Sequence, residues 1–402
     1  MAGEHDYIDT DNKRDRLSIL LNEHYKNVDF ESNPGLAKLA FIDTNESLGK
    51  NLNPSRNLGV DNVEIDYVQD FSTWKERQEG IEKGSLDGGI IGVGAGNIFN
   101  MLDIYSAIQE NPDAVPECLI GIDVEPRVVL AGEMIRILAK EVAEGKRTKE
   151  DVIKLLFGTD DWDEESQKIL GIGSEGGNTK PDDDLENILR RALNDQPDAV
   201  KGFFEESDAY ENTLREFRLL RKRGDEASVR SIKAVVQNDN FESWRGSLSV
   251  AASLYRNFDK LAELASRDRL HFVYGSIKDP KILGVISQAY PSLVDKNNLL
   301  YETNVLNVIE RHLSDVLIIP DERELAALGR QLLHFHELEK IFNRSGKSVH
   351  VYTNSAFMSL PNGRKVSGYE LMASAETPRI EFTDFPETFR EKPGSSRLNP
   401  DW

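Results

Sequence analysis

The sequence predicts an α/β protein whose mostly parallel sheet carries helices on both faces, with an N-terminal helical cap and a helical insertion. Two observations carry this expectation. Short apolar runs, GGIIGV from Gly88 and CLIGID from Cys118, alternate with segments of helical periodicity. Strand, helix, strand, helix in that order calls for parallel pairing through right-handed crossovers. Between residues 146 and 266 the chain turns charged and helical, and apolar runs return with RLHFVYGSI at Arg269.

Taken in order, residues 1–85 form the cap: LSILLNEHY and FSTWKERQEGIEKG suggest helices, the second ending at Gly84, with Trp74 expected in a core. The sheet domain follows as 86–145 and 267–375. After the strand Gly88 to Val93, Ile98, Leu102, Tyr105 and Ile108 fall on one helical face, and Pro126 opens a second helix, PRVVLAGEMIRILAKEVAEG. In the insertion, 146–266, DDDLENILRRALND sets Leu185, Ile188, Leu189 and Ala192 on one face behind an acidic first turn. Later strands are expected at Arg269–Ile277, from Asn298, and at Ser348–Phe357, with a helix around ELAALGRQLLHFHELEKIF. Residues 376–402 combine proline and charge without periodicity, which predicts an extended arm or tail.

The 402 residues include 49 basic and 70 acidic side chains, a formal charge of −21, which disfavours nucleic acid and anionic membrane surfaces as partners. The lone Cys118 excludes an intramolecular disulfide. The start, MAGEHDYIDTDNKRDRLSILL, has no basic segment leading into an apolar one, and no run of about eighteen apolar residues occurs. A cytoplasmic protein without a membrane span is expected.

Gly92, Gly94 and Gly96 sit at a strand-to-helix junction, where bare backbone can approach a ligand at a helix N-terminus, or simply turn tightly. Asp123 ends the next strand, where a carboxylate can accept hydrogen bonds from both hydroxyls of a ribose; Asp123 or Glu125 can equally cap the helix at Pro126. His334 and His336 are two apart on an expected helix and cannot clamp a metal as an i, i+4 pair does, so no metal site is expected.

With these residues the chain resembles the class I S-adenosylmethionine-dependent methyltransferase family. GGIIGVGAGN is similar to its first motif, LIGIDVEP to its second strand, RLHFVYGSI to its third, LLYETNVLNVIERHL to its fourth strand and following helix, and FNRSGKSVHVY to its late helix and fifth strand. The likeness covers roughly half the chain and implies a Rossmann-like core. It implies S-adenosylmethionine over the carboxyl ends of the strands, held by Gly92, Gly94, Gly96, Asn97, Asp123 and Ser276. It also implies a small-molecule or protein acceptor beside Glu302, Asn304 and Asn307, with Glu302 or His312 as general base. Glu302 and Asn304 alternate with Tyr301 and Thr303, so only one set faces the cleft. The chain departs from the family at Ile90, where an acidic residue is usual, and at Ser276, where aspartate is usual.

Two further functions share these signals. A glycine turn followed by an acidic strand end also describes an NAD(P)-dependent oxidoreductase, although Asn97 stands where a third small residue belongs. A non-catalytic interaction protein can use the same fold.

Overall fold

The computed structural model describes residues 13–28, 84–93, 98–123, 125–157, 181–222, 250–275, 280–302, 337–353, 358–359, 365–366 and 379–382. Strands β1 (Ile90–Val93), β2 (Leu119–Asp123), β3 (Leu270–Tyr274), β4 (Leu299–Glu302), β5 (Val349–Thr353) and β8 (Arg379–Phe382) form one sheet in the order β3-β2-β1-β4-β5-β8. Every pairing among them is parallel. β1 and β2 are buried along their whole length, which is why IIGV and LIGID are continuous apolar runs rather than alternating ones. The two short strands β6 (Met358–Ser359) and β7 (Lys365–Val366) pair antiparallel to each other.

Register fixes what each face carries. Phe272, Gly121, Gly92 and Tyr301 are Cα partners in one row across β3, β2, β1 and β4, so they share a face. Two helices that follow strands pack there: α2 (Asn100–Ile108), entered through Ile98 and Phe99, and α3 (Pro126–Ala143). The Phe99 and Phe272 rings are 5.8 Å apart between centroids. On the opposite face, helix α10 (Pro280–Ala289) brings Ile282 against Gly275, and the 3-10 turn Pro291–Val294 brings Leu293 against Gly89. Helix α1 (Lys13–Tyr25) packs on α10, and its Leu17, Leu21 and Tyr25 join the same core as the sheet.

The helical segment between β2 and β3 is built into this core. The helices α4 (Lys149–Phe157), α5 (Pro181–Asn194), α6 (Asp198–Glu206), α7 (Ala209–Lys222), α8 (Val250–Arg256) and α9 (Phe258–Ser266) supply, in turn, Val152, then Leu185, Ile188, Leu189 and Ala192, then Phe204, Phe217, Leu254 and Leu261 to the same cluster as the strands. The expected apolar face of α5 is therefore the buried one. Charges fasten α5 and its approach to α3: Arg136 binds Glu133 at 2.6 Å and Asp195 at 2.7 Å, and Arg147 holds Asp184 through two 2.7 Å bonds.

One expectation changes. The C-terminal stretch was expected as an arm or tail over 376–402, yet Arg379–Phe382 adds to the sheet beside β5. Four residues are too few to display periodicity, and the strand gains its order from backbone pairing to β5. The helix around ELAALGRQLLHFHELEKIF is described only as α11 (Glu337–Phe342); Trp74, His334 and His336 lie outside the described residues.

The close packing of α3 on β3 gives a test of this layer. A Cβ on Gly132 would lie 2.2 Å from Phe272 Cδ1, with further ring atoms at 2.4 and 2.5 Å. In an open helix glycine to alanine gains about 1 kcal/mol of helix propensity. Here Gly132→Ala is expected to destabilise by about 1–3 kcal/mol, because overpacking outweighs that gain. A thermal melt measures it, and Gly132→Ala combined with Phe272→Leu should recover part of the loss.

Candidate functional site

The strand order turns back between β1 and β4: the sheet grows outward through β2 and β3 on one side and through β5 and β8 on the other. A crevice opens at the carboxyl ends of the strands wherever this happens in an open parallel sheet. The strands end there at Val93, Asp123, Tyr274 and Glu302.

Gly92 is inside β1, in register with Gly121 of β2. A Cβ there would meet Ile98 Cδ1 at 3.0 Å and Tyr301 Cδ1 at 3.1 Å. Glycine at 92 thus lets the start of α2 sit down on the sheet, a packing reason that applies with or without a ligand. Gly94, Gly96 and Asn97 lie outside the described residues, as do Ser276, Asn304, Asn307 and His312. The backbone of Glu302 pairs with Val93 on one side and Tyr352 on the other, which sets it at the rim directly beside the end of β1. Tyr301, with which it alternates, is on the Gly92 face and buried.

Asp123 is buried, 4% exposed, at the end of β2. Its Oδ1 accepts a hydrogen bond from the Glu125 amide at 2.8 Å, and its carbonyl accepts one from the Gly275 amide at 2.8 Å. The cap of α3 is Glu125: its Oε1 accepts from the Arg127 amide at 3.2 Å and from Arg127 Nε at 2.6 Å. Pro126 at the first helical position presets the backbone and removes a donor that would need a partner. Asp123 therefore shapes the turn ahead of the helix, while the helix end is served by its neighbour.

Beside these carboxylates lies an aromatic cluster that the sequence did not announce. Tyr274 is the register partner of Asp123 and is buried. The Phe203 and Phe204 rings of α6 approach its ring at 5.5 and 5.1 Å between centroids, the second edge-on. The Tyr25 hydroxyl of α1 donates to the Tyr274 carbonyl. Burial first, and then the nearby Glu125 and Asp123, push the Tyr274 hydroxyl well above the ordinary phenol range. The only advance signal was the dipeptide Phe203-Phe204 in an otherwise charged segment; nothing local in the sequence ties it to β3.

Among the described residues no group of three or more His, Cys, Asp or Glu side chains gathers to hold a metal, and no helix is long and apolar enough to cross a membrane. The fold class is α/β, with a parallel sheet between helical layers and an acidic residue at the carboxyl end of the strand next to the point of reversal. Compared with known proteins, the chain matches no family model, no curated protein and no solved structure.

Proposed function

We propose that the chain is a Rossmann-like, S-adenosylmethionine-dependent methyltransferase acting on a small molecule or a protein side chain. The observation that carries the reading is the position of Asp123, a buried carboxylate ending β2 next to the reversal between β1 and β4. The donor set fits the group. A carboxylate has about four acceptor sites, so Asp123 can serve the Glu125 amide and the two ribose hydroxyls together. The backbone leaving β1 at Val93 would lie under the amino-acid portion.

Bound there, the cofactor supplies an electrophilic methyl on a sulfonium. The protein's part is to orient the acceptor in line and to exclude water, since alignment at near-contact distance supplies much of such a rate. Glu302, placed by the backbone beside the end of β1, is the residue we assign to receive the acceptor's proton. The formal charge of −21 suits a neutral or cationic acceptor over an anionic one.

Calorimetric titration with S-adenosylmethionine, S-adenosylhomocysteine, NAD and NADP tests this. Saturable binding of the first two alone is expected; binding of NAD or NADP instead would assign the crevice to an oxidoreductase, and binding of none would leave an interaction protein. Asp123→Asn keeps an oxygen for the Glu125 amide but removes the charge. It should weaken S-adenosylhomocysteine binding roughly 10- to 100-fold, the range for hydrogen bonds to a charged group. Unchanged affinity would remove Asp123 from the site.

A further inference from the structure

One peptide group at the end of β3 is held from two sides. The Tyr274 carbonyl accepts the hydroxyl of Tyr25, the last residue of α1, and the amide of the next residue, Gly275, donates to the Asp123 carbonyl at 2.8 Å. That carbonyl and that amide belong to the same planar unit, so the hydroxyl fixes the plane from which Asp123 is bonded. The Gly275 bond is the last rung between β2 and β3 among the described residues, and the end of a ladder is where opening costs least. Asp123 relies on this rung: its carboxylate, bonded to the Glu125 amide, keeps one position only while the backbone beneath it does. Tyr25 is 2% exposed, and Leu17 and Leu21, two turns and one turn before it, are buried as well, so a docked helix delivers the hydroxyl.

We propose that Tyr25 is a positioning residue of the ligand site: from the N-terminal helix, and without touching the ligand, it sets the strand end that presents the Asp123 carboxylate. This rests on the reading of Asp123 as the carboxylate for the ribose. It gives α1 a part in binding, because the seating of the helix and the order of the β2 end are joined through one peptide group. By linkage, a ligand that orders the end of β2 also holds α1 in place, and to the same degree.

The test compares Tyr25→Phe with the parent protein and with Tyr290→Phe. The first keeps the ring and removes the hydroxyl. The second removes a buried hydroxyl near the opposite end of the same strand, where Tyr290 is hydrogen-bonded to His271 and, at 3.4 Å, to the Asp268 carbonyl. Calorimetry with S-adenosylhomocysteine is run at a temperature where all three proteins are folded. Tyr25→Phe should bind about 3- to 10-fold more weakly, since the effect cannot exceed what one neutral hydrogen bond contributes. Tyr290→Phe should bind as the parent does. Without ligand, hydrogen exchange at the Gly275 amide should quicken in Tyr25→Phe alone. Parent-like affinity of Tyr25→Phe would overturn the inference while leaving the methyltransferase reading intact. Equal weakening in both variants, or unchanged exchange at Gly275, would reduce Tyr25 to a residue that only stabilises the fold and overturn it too. Failure of the parent to bind would overturn this inference together with the reading beneath it.

Discussion

Replacing Asn298 with leucine is expected to cost at least about 3 kcal/mol of stability, from buried groups left unsatisfied at about 1–3 kcal/mol each. Asn298 is fully buried just before β4. Its Oδ1 accepts from the Gly89 amide at 2.9 Å, while its two amide hydrogens are shared among the carbonyls of Leu293, Phe342 and Lys296 at 2.7, 2.8 and 3.0 Å. One side chain thus joins the start of β1, the 3-10 turn and the end of α11. Its own backbone extends the joint, donating to Ser348 Oγ and accepting from the Val349 amide, both at 2.9 Å. Leucine has similar volume, so the loss is one of hydrogen bonds rather than packing. Urea unfolding should show a lower midpoint with an unchanged slope. A shift below about 1 kcal/mol would mean that water replaces Asn298 at this junction.

The second large effect belongs to Asp103. Its buried carboxylate on α2 accepts from Arg256 Nε at 2.9 Å, Asn257 Nδ2 at 2.6 Å and Ser253 Oγ at 2.5 Å, with Arg256 Nη2 as a further donor. Burial pulls the Arg256 guanidinium below its usual pKa, and Asp103 opposes that pull. Asp103→Ala strands the guanidinium without its counter-charge and should cost about 3–5 kcal/mol. Combining Asp103→Leu with Arg256→Met should recover part of that, because the charge to be buried is gone; Ser253 Oγ would still lose its acceptor, and Asn257 Nδ2 would keep only the Ser253 carbonyl. A double-mutant cycle on unfolding free energies measures the coupling. Independent, additive losses would show that the contact does not hold α2 against α8.

These two residues also mark where sequence reasoning stopped. The strands GGIIGV, CLIGID and RLHFVY announced themselves through unbroken apolar runs, and the helices through periodic positions such as Ile98, Leu102, Tyr105 and Ile108, all buried. Such signals are local. The partners of Asp103 lie 150 to 154 residues away, so no spacing rule reaches them. Likewise, Asp123 was legible because it ends an apolar run, but the Phe203 ring beside its register partner was not. Gly92 was legible as a glycine that matters, and the structure adds why: Ile98 and Tyr301 crowd the place where a side chain would begin. The edge strand Arg379–Phe382 escaped notice because four residues paired only by their backbone leave little pattern.

The sheet's strand order also governs how the protein is made. β1 finds β2 soon after it is synthesised, but its other neighbour, β4, arrives much later; Gly89 and Asn298, which bond across that seam, are 209 residues apart. At about 5–20 residues per second of translation, the emerging chain carries the open edge of Ile90–Val93 for roughly 10–40 seconds. An unpaired apolar edge is a template for association with other chains. The helices encoded in between, which share the finished core, are also the first material able to shelter the nascent sheet until its missing half is delivered.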